Sequence, residues 1–507
     1  MTVRLWKGAT TTVVVVALAL ASLACADDEG RPGDSAGLGE THTHSADTLG
    51  DTGGFEESDS PDDAESSASG PDLDAETDTD TGEETDIDPE TGPPLYPGGR
   101  VLSPMTGPIV EAMLVIRNQA PAAPPALFAK VGASSTVSPA ALNCFAGDNV
   151  DLDDYSDSLA PTLTLHLGEP IADATSFDRD TLAAQVGKTA GWAIAGAPSP
   201  LDQELAAIEP AGPSLAFVHY GANDMHQGIT YASALRAYYG NMSDLLDQLV
   251  DLGVVPVIIG LSRRLDNESA DLWVETYNAV ARGLAQARRI PFIDLREALE
   301  GLPGKGLSGD GLHLEAFAGG ACLLTPEGLG HGYNIRNLAA LQTLERLGRA
   351  LLDGQQPDPD PGADPSLTLL GLGSIDDPFE IGALPFADSR DSAAGPGIAL
   401  DSYSGCASMA DESGPEHLYR FELTETTRIR AMVLDRADVD VDIHLLDDSA
   451  SEEGCLLRDD RMIEAELEPG LYFFALDTYV DGEGIEQTGE YTFIVLECEP
   501  GDTDCLL

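Results

Sequence analysis

Between about residues 101 and 352 the chain alternates short apolar runs with longer amphipathic ones. Runs of strand length occupy residues 126–131, 215–220, 254–259 and 290–293. Helices are predicted over residues 200–208, 232–252, 271–289 and 337–352. In YASALRAYYGNMSDLLDQLVDLG the apolar positions recur at three and four residues, and Gly253 supplies the stop. Strands alternating with helices predict an α/β domain: a doubly wound, mostly parallel sheet covered on both faces. About 250 residues suffice for one substantial core, and such sheets bind ligands at the carboxyl ends of their strands.

The pattern breaks on either side of this domain, which is placed at residues 98–353. GQQPDPDPGADP is a Pro/Asp-rich linker, taken as residues 354–366. Beyond it, residues 367–507 change to short alternating runs: HLYRFEL, IRAMVLD, VDVDIHLL, LYFFALD and YTFIVLE. Turn signals such as Glu468-Pro469-Gly470 separate them, which predicts a smaller antiparallel β-sandwich. Residues 26–97 are Asp, Glu, Thr, Ser, Gly and Pro, too poor in apolar side chains to offset the entropy of ordering. A disordered acidic linker of ~70 residues reaches ~45 Å, more with like charges along it.

Residues 1–25 read as an export signal: Arg4 and Lys7, then a short apolar core, then small residues. The core is too short to span a bilayer comfortably. Ser22-Leu23-Ala24 before Cys25 is similar to a bacterial lipobox, with Ser22 where Leu is usual. A cell-envelope lipoprotein, at the outer membrane or cell surface and held only through a lipid on Cys25, is expected; simple secretion is the alternative. With Cys25 set aside, six cysteines remain, an even number suited to an oxidising compartment. Sequence proximity favours Cys144–Cys322, Cys406–Cys455 and Cys498–Cys505, among fifteen possible pairings. Formal net charge is −62, about a quarter of the acidic residues lying between Asp27 and Glu90. That excess excludes nucleic acid as a partner and disfavours anionic substrates. No cysteine or histidine spacing marks a zinc site, and His42 and His44 fall in low-complexity sequence. No metal or cofactor is expected.

Four segments carry candidate chemistry: Gly132-Ala133-Ser134, Ala195-Gly196-Ala197-Pro198, Gly221-Ala222-Asn223-Asp224 and Asp310-Gly311-Leu312-His313. The second is read as following a strand WAI. Cleaving an ester needs a hydroxyl nucleophile, a base to take its proton and a carboxylate to orient that base. It also needs preorganised donors for the oxyanion. Ser134, His313 and Asp310 supply the first three. The backbone N–H of Gly196 and the side-chain amide of Asn223 can supply donors.

This order and spacing resemble the SGNH, or GDSL-like, hydrolase family over roughly residues 125–352. The family's first motif is Gly-Asp-Ser-(x)-(Ser/Thr), its third Gly-x-Asn-Asp and its last Asp-x-x-His. The resemblance implies Ser134, Asp310 and His313 as a catalytic triad, with Ser134, Gly196 and Asn223 forming the oxyanion hole. It implies a serine esterase acting on acyl lipids or on O-acyl and O-acetyl groups. Ala133 stands where the family has Asp, so hydrogen bonds that would brace the serine loop are missing. Asp224 is assigned a structural role, His219 a place in the strand and His226 a possible place at the cleft; Ser135 points elsewhere.

The segment following residue 416 is similar to the pre-peptidase C-terminal family of secreted β-sandwiches. Asp438, Asp440 and Asp442 alternate there and would share one solvated strand face. The second function class is a surface binding or adhesion protein on a degenerate hydrolase scaffold, with Ala133 in its favour. A monomer is expected in either case.

Overall fold

The computed structural model describes residues 94–359, 364–407, 410–503 and 505, all within one unit, Glu83–Leu507. The export signal, Cys25 and the linker up to residue 93 lie outside the described residues. Residues 95–97, assigned above to the linker, are packed against the fold. Leu95 N–H donates to Leu367 O (2.9 Å), and the buried Tyr96 donates through its hydroxyl to Ile290 O (3.1 Å).

Four parallel strands form the first sheet: β1 (Phe128–Gly132), β2 (Leu215–His219), β3 (Val255–Ile259) and β4 (Phe292–Ile293), paired in that order. Every residue of the four is buried, as expected where both faces are covered. The covering helices are α1 (Gly107–Gln119), α2 (Ser134–Val137), α3 (Ser156–Leu167), α4 (Ala190–Ala193), α5 (Pro200–Ala206), α6 (Tyr231–Asp251), α7 (Glu268–Asp271), α8 (Val274–Ala287), α9 (Leu295–Leu299) and α10 (Gly332–Leu351). Local sequence sets several of their starts. Ser199 and Asp202 form a capping box at α5, with Pro200 at the first helical position. Thr230 accepts from Ser233 N–H at α6. Gly253 ends that helix with φ +73°, and a Cβ there would lie 2.6 Å from Ala120 N.

On the free side of β1 the chain makes one further parallel contact. Gly132 N–H donates to Ala183 O (3.0 Å) and Gln185 N–H donates to Gly132 O (3.1 Å). The chain thus leaves β1, pairs on one side of it near Ala184, and returns as β2 on the other. The sheet's direction of winding reverses at β1, and the carboxyl end of that strand is where such sheets hold a ligand.

The second region is a sandwich of β5 (Phe379–Ile381), β6 (Phe386–Asp391), β7 (His417–Leu423), β8 (Thr427–Asp435), β9 (Val441–Leu446), β10 (Cys455–Asp459), β11 (Met462–Leu467), β12 (Gly470–Thr478) and β13 (Glu490–Glu497). Its sheets run β10-β9-β12-β7-β5 and β11-β8-β13-β6, antiparallel apart from the parallel pair β5–β7. Phe379, Tyr419, Ile443, Phe474 and Phe493 are among the side chains filling the space between them. Disulfides join Cys144 to Cys322, Cys406 to Cys455 and Cys498 to Cys505.

The sandwich packs directly on the α/β region. Ala387, Met432, Leu434, Ile494 and Leu496 belong to the same buried cluster as the helices and first sheet. Helix α8 lies between the two, and a Cβ on its Gly283 would come within 2.7 Å of Thr492 Cγ2. Arg430, wholly buried, stacks on Trp273 (3.9 Å) and pairs with Glu464 and Asp502.

Three expectations are corrected. WAI forms the end of α4 and the residue after it, not a strand, because Thr189 caps the turn by accepting from Trp192 N–H. Asp438 and Asp440 precede β9, and Asp438 has φ +68°, so the three aspartates share no strand face. Asp442 is buried and bonded to Arg458, so it is not solvated.

Candidate active site

Strand β1 delivers Ser134 to the sheet end through Gly132 and Ala133. A Cβ at Gly132 would meet Thr136 Oγ1 at 2.2 Å and His219 O at 2.8 Å, so only glycine lets the chain turn straight into α2. Ala133 is buried in the core, and its carbonyl accepts from Thr136 and Val137 N–H. Those bonds, with the two to Ala183 and Gln185, hold the serine turn without a carboxylate at position 133.

Across the sheet end lies the Asp310–His313 turn. Ser134 Oγ is 3.0 Å from His313 Nε2, and His313 Nδ1 is 2.8 Å from Asp310 Oδ2. Asp310 Oδ1 accepts from Ser308 Oγ (2.7 Å) and from the N–H groups of Leu312 and His313 (3.0 Å each). The hydrogen bond with His313, then those from Leu312, Ser308 and the His313 backbone, hold the Asp310 carboxyl well below the usual carboxylate range. A carboxylate so satisfied fixes the imidazole's Nδ1 as a donor, leaving Nε2 to accept from the serine. The His313 and Asp310 side chains remain 40% and 51% exposed, so the group opens to solvent.

Asn223 follows β2. Its Nδ2 donates to Lys188 O (3.0 Å), which leaves a second N–H on the same nitrogen. Asp224 is buried and clamps this loop: Oδ2 accepts from Gly221 N–H and Oδ1 from Ala190 N–H, both at 2.9 Å. Burial pushes its carboxyl up to about 6 against the pull of those two bonds. His226 is exposed and accepts from Arg264 Nη2 (3.1 Å); His219 is buried in β2, and burial pushes it down to about 3.

Gly196 lies past α4 in an exposed turn leading into α5, and no described contact joins it to Ser134, Asn223 or His313. The backbone that does leave the sheet beside Gly132 is Val186-Gly187-Lys188. Gly187, at φ +76°, immediately precedes the carbonyl that Asn223 holds, and its N–H enters no hydrogen bond among the described residues. Sequence reading missed it because the pairing segment, Ala183-Ala184-Gln185, has one bridge and no β-branched run to mark a strand. The trace that was present is a glycine followed two residues later by the threonine that caps α4.

Arg264 was also missed. Its Nη1 donates to Ala222 O (3.0 Å), and Nε and Nη2 donate to the Asp266 carboxylate (2.8 and 3.0 Å). Asp266 N–H in turn donates to Gly311 O (3.1 Å). One buried guanidinium therefore ties the Asn223 loop to the Asp310 turn. The cavity of about 320 Å³ lined by Glu275, Arg296 and Glu499 shares no residue with this group.

Residues 163–317 match the GDSL-like lipase/acylhydrolase family, a stretch that holds Gly187, Asn223, Asp310 and His313 but begins after Ser134. Among solved structures, an acetylxylan esterase from Geobacillus stearothermophilus is similar at 14% identity, covering 43% of this chain and 93% of its own, with TM-score 0.29. A GDSL-like lipase from Bacteroides thetaiotaomicron is similar at 14% identity over 47% and 98% of the two chains, TM-score 0.28. The pre-peptidase C-terminal domain of a Bacillus anthracis collagenase is similar at 15% identity over 23% and 91%, TM-score 0.16. No curated protein matches.

Proposed function

We propose that this chain is a serine ester hydrolase of the SGNH type, exported and held at the cell surface through Cys25. The observation that carries the reading is the unbroken hydrogen-bond chain from Ser134 Oγ through His313 to Asp310. In the first half-reaction Ser134 Oγ attacks the ester carbonyl carbon while its proton passes to His313 Nε2. Asp310 stabilises the imidazolium without taking the proton. The oxyanion is met by the N–H groups of Ser134 and Gly187 and the free N–H of Asn223 Nδ2; Gly187 takes the place expected for Gly196. Collapse expels the alcohol, which leaves with the proton from His313. A water activated by the same imidazole then releases the acid and regenerates the serine.

The half-exposed imidazole and carboxylate favour an ester approached from open solvent: a small acyl or acetyl group displayed on a larger molecule. The chain's acidity favours a neutral one. Treating the full chain with a fluorophosphonate and mapping the adduct by mass spectrometry tests the reading, with p-nitrophenyl acetate turnover compared between wild type and Ser134→Ala. A phosphonyl group on Ser134, and turnover lost in the alanine variant, are expected. Turnover equal in the two proteins would overturn it in favour of a binding protein on this scaffold.

A further inference from the structure

The outer face of the five-stranded sheet is roofed by the described residues of the segment between β6 and β7, where Leu400 and Tyr403 pack on Leu418, Leu446 and Phe473. That segment carries Tyr403 and Glu412 and is fastened to β10 by Cys406–Cys455. Asp442 and His444, two residues apart on β9, point to the same side of the sheet. Under the roof Glu412, Asp442 and His444 meet, each offering a ligand atom, all within 4.8 Å of one another. Glu412 and His444 are 0% exposed and Asp442 3%.

A second observation is independent of the clustering. Neither ring nitrogen of His444 has a hydrogen-bond partner, and Glu412 Oε2 has none. A neutral imidazole always carries one donor and one acceptor, so no choice of tautomer resolves this. Leaving such groups bare in the interior forfeits their hydration with nothing in return. The ring is nonetheless firmly placed: it stacks on Tyr403 with centroids 3.5 Å apart and planes 11° from parallel. Tyr403 is itself fixed by donating to Asp477 Oδ2 (2.6 Å). Glu412 Oε1 is 4.0 Å from His444 Nε2, too far for a hydrogen bond and apt for two ligands of one ion. Arg458 donates to Asp442 Oδ2 and, at 3.3 Å, to Glu412 Oε1, which orients both carboxylates and leaves Oε2 bare.

We propose that Glu412, Asp442 and His444 bind a divalent transition-metal ion of the zinc class, which clamps the roof onto β9. An imidazole nitrogen with two carboxylate oxygens suits Zn²⁺, whereas calcium sites are built from oxygen alone. Three protein donors leave one position of a tetrahedral ion to water. The two carboxylates balance the ion's charge, and Arg458 serves as the outer partner that holds them in place. The site shares no residue with the Ser134 group, and the ion takes no part in ester cleavage.

The test uses the full chain, stripped with a chelator and reloaded with ZnCl₂. Metal content is read by plasma mass spectrometry after gel filtration, and thermal unfolding is followed in parallel. One zinc per chain and a raised melting temperature are expected. His444→Gln and Glu412→Gln should each lose the zinc and the shift, whereas His42→Gln/His44→Gln should keep both. Loading the unsubstituted chain with Co²⁺ adds a readout that survives misfolding of a variant, since visible d–d absorption from a nitrogen–oxygen ligand set is expected. Four results would overturn the proposal: no retained zinc, zinc unaffected by either sandwich substitution, zinc lost with the two N-terminal histidines, or stabilisation by Ca²⁺ equal to that by Zn²⁺.

Discussion

Gly311→Ala is expected to damage activity as well as stability. Gly311 sits between Asp310 and the residue preceding His313, with φ +71°. A Cβ there would lie 2.8 Å from Asp266 N and 2.9 Å from Leu265 C, both backbone atoms that cannot rotate away. The left-handed conformation alone costs a non-glycine residue about 1–2 kcal/mol. Overlap with backbone adds about 1–3 kcal/mol unless the turn slides off Asp266. Sliding gives up the Asp266 N–H···O Gly311 bond, worth about 1 kcal/mol. It also carries His313 away from Ser134. The gap there is 3.0 Å, already hydrogen-bond contact, so there is no slack to absorb the movement. A displacement of about 1 Å at reacting groups costs about 10²-fold in rate, which is the expected fall in kcat/KM for p-nitrophenyl acetate, with the urea midpoint lowered by the equivalent of about 2–3 kcal/mol. Gly196→Ala is the matched control. Its φ of +93° carries the same backbone strain, but a Cβ there meets nothing closer than Pro198 O at 3.8 Å. Its rate should stay within about threefold of wild type while Gly311→Ala falls about 10²-fold. A Gly311→Ala enzyme as active as the control would refute the reasoning.

Three further outcomes are expected. In the proposed mechanism Asn223→Ala removes an oxyanion donor, so steady-state kinetics should show kcat down about 10²–10³-fold with KM little changed; a loss confined to KM would contradict the assignment. Asp224 is raised to about 6 by burial, so the folded state holds its proton more tightly than the unfolded chain does. Its contribution to stability is therefore greatest below about pH 4 and is lost as pH rises through about 6. In denaturant titrations at pH 4 and pH 7, the stability gap between wild type and Asp224→Asn should move in favour of the variant by up to about 3 kcal/mol at the higher pH, and a gap independent of pH would count against a raised carboxyl. Gly283→Leu should wedge α8 off β13 at a cost of about 1–3 kcal/mol, read as faster proteolytic release of the sandwich; unchanged proteolysis would mean that the interface tolerates the added volume.

Much of the α/β region was legible because its strands are apolar on both faces and its long helices are amphipathic. The runs at 215–220 and 254–259 became β2 and β3 almost residue for residue. Helices α1 and α3 were passed over. The first opens on Gly107-Pro108, a pair that reads equally as a turn, and the second contains Pro161. In the sandwich the long central strands were read, but β10 and β11 were not: their exposed residues, as in CLLRD and MIEAEL, blur the alternation that marks a half-buried strand. At the candidate site, residues in short contiguous motifs could be placed from sequence: Asn223, Asp310 and His313 each sit in a tight turn whose glycine announces it. Gly187 and Arg264 act through partners far away in the chain, Asn223 at 35 residues from Lys188 and Ala222 at 42 from Arg264. No local pattern records such a partnership.

Helix α8 shows how the second region alters the meaning of the first. Read alone, VETYNAVARGLAQA has one apolar face and one polar face, and the polar one should meet water. Instead Glu275, Thr276, Asn278, Arg282 and Gln286 are all buried. Asn278, Glu275 and Arg282 are answered within the α/β region, by Leu261, Arg296 and Asp294. The other two are answered across the junction: Gln286 Nε2 donates to Asp388 Oδ1 (3.0 Å), and Arg430 Nη1 to Thr276 Oγ1 (3.3 Å). Polar groups buried this way would be costly if the cover were removed only partly, because each would lose its partner before regaining water. The junction therefore favours all-or-none docking over a hinge. It also reaches the candidate site. Glu499, beyond β13, pairs with Arg263 (3.4 Å) and with Arg296, and Arg263 is the chain neighbour of Arg264. The guanidinium that fixes both the Asn223 loop and the Asp310 turn thus stands one residue from a contact with the sandwich, so the backbone that carries Arg264 is braced from that side.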